Sequence, residues 1–147
     1  MSATTTAPVA STKTAASSRR RARLLTVAAA TAAAVIIWSV AELAGMHLRQ
    51  PGFGSKSAIT LNVAIVIVVT AVVSLAGWAL LAILEHRTAR ARAIWTAVAV
   101  VVTLLSLGGP FSGHGVSTGN RLVLGLIHLT VATVVITGLR RTSGTAR

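Results

Sequence analysis

Cysteine, aspartate and tyrosine are absent from this 147-residue chain, and its only acidic residues are Glu42 and Glu85. Without cysteine there is no disulfide framework, no thiolate metal site and no thiol nucleophile. Two carboxylates leave a single pair for acid–base chemistry, and no GxSxG, HExxH or GxxxxGK[ST] motif supplies another route to catalysis. Aromatic residues are scarce, with three Trp and two Phe, so the formal charge of +12 is not accompanied by a base-stacking surface. Nucleic acid is therefore not an expected partner, despite the basic balance. Charge itself is rare at 11 % of residues, against roughly 25 % in soluble domains. A folded chain this poor in charge presents an apolar surface.

What is present is long apolar sequence. Four runs stand out: 24–46, 59–84, 93–109 and 121–139. A helix needs about 20 residues to cross a hydrocarbon core of roughly 30 Å, and each run falls within the workable range. Many residues are β-branched, but lipid requires every backbone amide to be paired internally, so such runs form helices. Pro51, Gly52 and Gly54 break the chain after the first run, and Pro110 is expected to stop the third. The expectation is an all-α, up-down-up-down bundle of four transmembrane helices over 24–141. The first run is too long for the apolar core of a cleaved signal peptide and is expected to stay as a helix. Residues 1–23 are expected to form a disordered basic tail, and 142–147 a short cytoplasmic tail.

Basic residues give an orientation. With the N-terminus inside, Lys13, Arg19, Arg20, Arg21, Arg23, Arg87, Arg90, Arg92, Arg140, Arg141 and Arg147 are cytoplasmic, while only Arg49, Lys56 and Arg121 are outside. That asymmetry is the positive-inside pattern, and it puts both termini in the cytoplasm of a bacterial plasma membrane. Arginine outnumbers lysine and alanine abounds, as in GC-rich genomes. Arg19, Arg20, Arg21 and Arg23 are expected to contact anionic head groups, each contributing about 1 kcal/mol near the surface. The inner turn around Glu85, Arg87, Arg90, Arg92 and Trp95 reads as a topological anchor. Trp95 would mark the interface, and Glu85 would pair with Arg92 or Arg140.

Polar residues within spans are costly, at roughly 2.5–3.5 kcal/mol for a central charge, and are candidate sites by default. Glu42, Asn62 and His128 all fall in the outer half and would form a polar cluster if their helix faces converge. Small and hydroxyl residues recur at helical spacing: Asn62, Val66, Thr70, Ser74 and Gly77, then Thr96, Ala99, Thr103 and Ser106, then Arg121, Gly125, His128 and Ala132. Such stripes serve close helix packing in lipid. His47, His114, His128 and Glu42 are conceivable zinc ligands, but no tight ligand spacing links them, and no metal or other cofactor is expected.

The order LLAILEHR, ARAIW, LLSLGGP, GLIHLTVA, GLRR resembles a family of small four-helix actinobacterial membrane proteins known only as a domain of unknown function. The matching positions are Leu84, Glu85, Arg87, Arg92 and Trp95, then Leu105, Ser106, Leu107 and Pro110, then His128 and Arg140. The resemblance spans about 24–141 and implies fold and membrane location, with no assigned catalytic residue, cofactor or substrate. Three functions remain open. The first is a non-enzymatic accessory or interaction module of the envelope, alone, as a homo-oligomer or with a membrane partner. The second is a small transporter or channel subunit using the polar cluster. The third is a redox or haem protein. A water-filled cavity at Glu42 and His128 would favour the second, and tight packing there the first.

Overall fold

The computed structural model describes residues 10–52, 54 and 56–143. These form four α-helices: α1 (Ala10–Leu43), α2 (Val63–Arg87), α3 (Ala91–Ser112) and α4 (Thr118–Thr142). All four contain segments long and apolar enough to cross a membrane. In chain order the helices form a ring, each packed on the next, and α1 closes the ring against α4.

Helix boundaries follow local chemistry. Asn62 caps α2 by accepting the Ile65 N–H at 2.9 Å, and Ser117 caps α4 by accepting the Asn120 N–H at 3.2 Å. Arg87 lies in the last turn of α2, and Arg140 and Arg141 in that of α4, where cations complement the helix dipole. α1 closes in a Schellman turn. Gly45 has φ 77°, its N–H donates to Glu42 O at 2.9 Å, and the Met46 N–H donates to Ala41 O at 2.9 Å.

Two expectations about the ends need correction. Residues 10–23, taken for part of a disordered tail, continue α1 as helix. The apolar run supplies the nucleus, and extending a helix through Ala and Arg costs far less than starting one. Residues 1–9 and 144–147 lie outside the described residues. Pro110 does not stop α3, which runs on to Ser112. A proline near the helix end removes one N–H bond, but the terminal carbonyls beyond it can be paired from elsewhere.

The helices alternate in direction. Arg23, early in α1, meets Glu85 at the end of α2 and Thr142 at the end of α4, and Arg92 at the start of α3 meets Ser143 just past α4. These contacts define a basic end. The opposite, loop end holds β1 (Arg49–Gln50) and β2 (Ile59–Thr60), paired antiparallel with Arg49 opposite Thr60.

Inside, small residues set the spacing. The buried positions of α1 are Arg23, Thr26, Ala30, Ala34 and Ala41, and those of α2 are Val66, Thr70, Ser74 and Leu81. Thr26 sits against Gly138, where any added Cβ would collide with the threonine side chain. The backbones of α1 and α4 approach closely there, as small residues allow in lipid. One apolar cluster, with Leu48, Val66, Leu124 and Ile127, fills the loop half, and another, with Leu81, Trp95 and Leu139, fills the basic half. The outward faces are just as apolar. Val68, Val72, Leu104 and Leu105 are each more than half exposed. A soluble monomer rarely exposes a continuous apolar belt, whereas a membrane protein requires one.

Candidate functional site

The basic end is built around Arg23. Its position on the inner stripe of α1 buries it to 5 % exposure, so its charge must be compensated within the bundle. One guanidinium nitrogen donates to both Glu85 oxygens, at 2.7 and 2.9 Å, and Nε donates to Thr142 Oγ1 at 3.2 Å. Glu85 therefore pairs with Arg23 rather than with Arg92 or Arg140. Arg92 instead clamps the end of α4, donating to Ser143 Oγ at 2.9 Å and Ser143 O at 2.7 Å. Four helix ends are tied together by these two arginines. Arg23 is consequently not a head-group contact, whereas Arg19, Arg20 and Arg21 are exposed.

Trp95 is also placed differently from the expectation. It is 2 % exposed, packs with Leu81 and Leu139, and donates its indole N–H to Gly77 O at 2.8 Å. A buried indole needs a partner for its N–H, and the close approach of α3 to glycine on α2 supplies one. It is a core residue, not an interfacial belt residue. Arg87 and Arg90 are exposed, and Arg90 is the N-cap of α3 without a side-chain capping bond.

A groove of about 950 Å³ opens at this end. Arg19, Arg90, Arg92 and Arg140 line its mouth together with Glu85, and Ala97, Val100 and Val101 form a wall farther along α3. Sequence reasoning named all four of these arginines separately but not as one surface. Their convergence comes from three different helices.

At the loop end, Glu42, Asn62 and His128 do not form the expected cluster. Glu42 accepts from His47 Nδ1 at 2.9 Å and from the Leu48 N–H at 3.2 Å, so it organises the turn that follows α1. Asn62 lies outside the helix as the cap of α2. His128 places Nδ1 2.7 Å from Leu124 O, one turn earlier in α4, which makes Nδ1 the protonated nitrogen. Among the described residues no hydrogen bond joins the three. His114 is directed to Gly54 O at 3.1 Å, and no group of three metal-ligating side chains gathers among the described residues.

The residue that organises this end is Asn120, which was not singled out from the sequence. Buried to 5 % exposure, it accepts the Arg49 N–H at 2.7 Å and donates to Arg49 O at 2.8 Å. The amide pairs with the strand backbone much as another strand would. Gly52 and His114 exchange backbone hydrogen bonds at 3.1 Å, joining the two loops. Arg121 donates to Pro110 O at 3.0 Å and Phe111 O at 2.8 Å, pairing the last carbonyls of α3. Its cation sits where the helix dipole is negative. The signal available in the sequence was position: Asn120, Leu124 and Ile127 share one face at helical spacing.

A ring of four alternating apolar helices, sealed by loops at one end and crowded with arginine at the other, is the fold of a multi-pass membrane protein. Over residues 14–145 the chain matches the model of a family of unknown function, DUF6069, and it belongs to that family. Neither a curated protein nor a solved structure matches it.

Proposed function

We propose that the chain is a non-enzymatic accessory or interaction module of an actinobacterial plasma membrane, with the basic end and both termini in the cytoplasm. The observation that carries this reading is how the polar groups of the loop half are satisfied. His128 bonds its own helix, and Glu42 bonds the adjacent turn. The groove lies at the other end of the bundle and reaches neither residue. A transport pathway would need these polar groups to line a shared channel, whereas His128 is turned to its own helix and Glu42 to the adjoining turn. Orientation rests on charge: Arg19, Arg20, Arg21, Arg87, Arg90 and Arg92 crowd the basic end, whereas Arg49, Lys56 and Arg121 belong to the loop end. Arg19, Arg20 and Arg21 are exposed, and in this reading they meet anionic head groups.

Because the chain lacks cysteine, single introduced cysteines report location without background. In intact cells Lys56→Cys reacts with an impermeant thiol reagent, and Ala89→Cys reacts only after lysis. The opposite pattern would invert the orientation. In proteoliposomes carrying a pH-sensitive dye, the protein adds no proton conductance over empty vesicles. A conductance abolished by His128→Leu would replace the module reading with the transporter reading.

A further inference from the structure

We propose that the groove at the basic end is a binding site for one anionic phospholipid of the adjoining leaflet. The inference rests on the reading that this end lies at a membrane surface. The first support is a count of charges. The chain has two side-chain carboxylates. Glu85 is held by Arg23, and Glu42 is at the opposite end against His47. Arg19, Arg90, Arg92 and Arg140 thus meet in one groove, and among the described residues no side-chain carboxylate is left to neutralise them. Arg92 is held by the neutral Ser143, which fixes its guanidinium without cancelling its charge. Such a cluster favours an anion, and arginine in particular matches the oxygens of a phosphate.

The second support is the shape of the groove. From Arg90 the lining continues through Ala97 to Val100 and Val101 on α3. Ten residues of helix rise about 15 Å, which is about half of a hydrocarbon core of roughly 30 Å. A soluble anion would use only the mouth. A phospholipid uses both parts, with its phosphate among the arginines and an acyl chain along the alanine and valine wall. The anionic lipids of a cytoplasmic leaflet have the matching charge.

The test uses full-length protein, purified in non-ionic detergent, delipidated, and titrated with phosphatidylglycerol or phosphatidylcholine of the same acyl chains under native mass spectrometry. Phosphatidylglycerol binds stoichiometrically and in preference to phosphatidylcholine. The pair Arg90→Gln with Arg140→Gln weakens phosphatidylglycerol binding about thirty-fold. The charge-matched pair Arg87→Gln with Arg141→Gln, which does not line the groove, leaves it unchanged. Ala97→Trp, which fills the apolar wall and keeps every arginine, also abolishes binding. Equal losses from both arginine pairs would reduce the site to diffuse charge and overturn the proposal. Displacement of the lipid by excess inorganic phosphate, with Ala97→Trp inert, would make it a soluble-anion site and overturn it as well. Failure of the underlying reading is separate: it appears as labelling of Ala89→Cys from outside the cell, whatever the lipid binding.

Discussion

The two ends of the bundle are closed by different chemistry. At the basic end, charged side chains reach across helices: Arg23 to Glu85 and Thr142, and Arg92 to Ser143. At the loop end, side chains reach backbone: Asn120 to both polar groups of Arg49, and Arg121 to the carbonyls of Pro110 and Phe111. The first arrangement depends on a matched charge, so removing one partner leaves the other buried and uncompensated. The second depends on shape, and it substitutes side-chain amide and guanidinium groups for missing secondary structure. One carboxylate, Glu85, therefore balances the buried arginine at one end, while the load at the other is spread over several bonds to backbone.

The largest effect is expected at Glu85. Glu85→Gln keeps the volume and removes the charge that balances Arg23, which is only 6 % exposed at its side chain. The expected loss is about 3 kcal/mol, at the low end for a broken buried pair because Glu85 itself stays partly exposed. Thermal unfolding in detergent measures it. The double change Arg23→Met with Glu85→Leu is expected to restore most of the stability, since an apolar pair of similar size is often neutral. If the double variant were as unstable as Glu85→Gln, the end would be held by the hydrogen bonds to Thr142 and not by charge balance.

Asn120→Ala comes next. It leaves the Arg49 N–H and C=O without their partner beside a buried position, at a cost of about 2 kcal/mol. Unlike Glu85→Gln, it is expected to act locally, loosening β1 and β2 first. Protease cleavage between residues 49 and 60 should accelerate before the helices melt. Simultaneous loss of both would mean that the loop layer and the bundle form one cooperative unit.

How much of this was legible in the sequence differs between the ends and the middle. The four spans and the α2 stripe of Val66, Thr70 and Ser74 follow from hydropathy and helical spacing, which are local properties. The pairs that close the ends are not local: Arg23 and Glu85 are 62 positions apart, and Arg49 and Asn120 are 71 apart. Helical phase still carried a partial signal. Arg23 shares its face with Thr26, Ala30 and Ala34, so a buried arginine required a carboxylate at the same end. With two acidic residues in the chain, Glu85 was the one available there. Trp95 misled because a tryptophan near a helix start fits both an interface and a core. Its phase with Ala91, which is also buried, favoured the core.

Between the ends, the close approach of α1 and α4 can be tested by Gly138→Ala. The added methyl meets Thr26, whose Oγ1 is fixed by a 3.0 Å hydrogen bond to Ala22 O. A side chain held in this way yields poorly, so a loss of about 1–2 kcal/mol is expected from overpacking. Thr26→Ala in the same chain should recover most of it, and a double-mutant cycle reads the coupling. Additive losses would mean that the helices separate freely at this level, and the basic end alone would then hold α1 to α4.

The smallest effect, and the sharpest contrast with the ion pair, is expected from Trp95→Phe. Phenylalanine keeps most of the packing against Leu81 and Leu139 but lacks the indole N–H that donates to Gly77 O. That carbonyl lies inside α2, so it retains its intrahelical partner when the indole is gone. No buried group is orphaned, in contrast to Arg23 after Glu85→Gln. The loss is therefore about 1 kcal/mol, the net worth of one neutral hydrogen bond. Thermal unfolding of the two variants side by side separates the cases. A Trp95→Phe loss as large as that of Glu85→Gln would mean that the indole sets the α2–α3 spacing, and that the basic end is organised by packing around Trp95 before it is locked by charge.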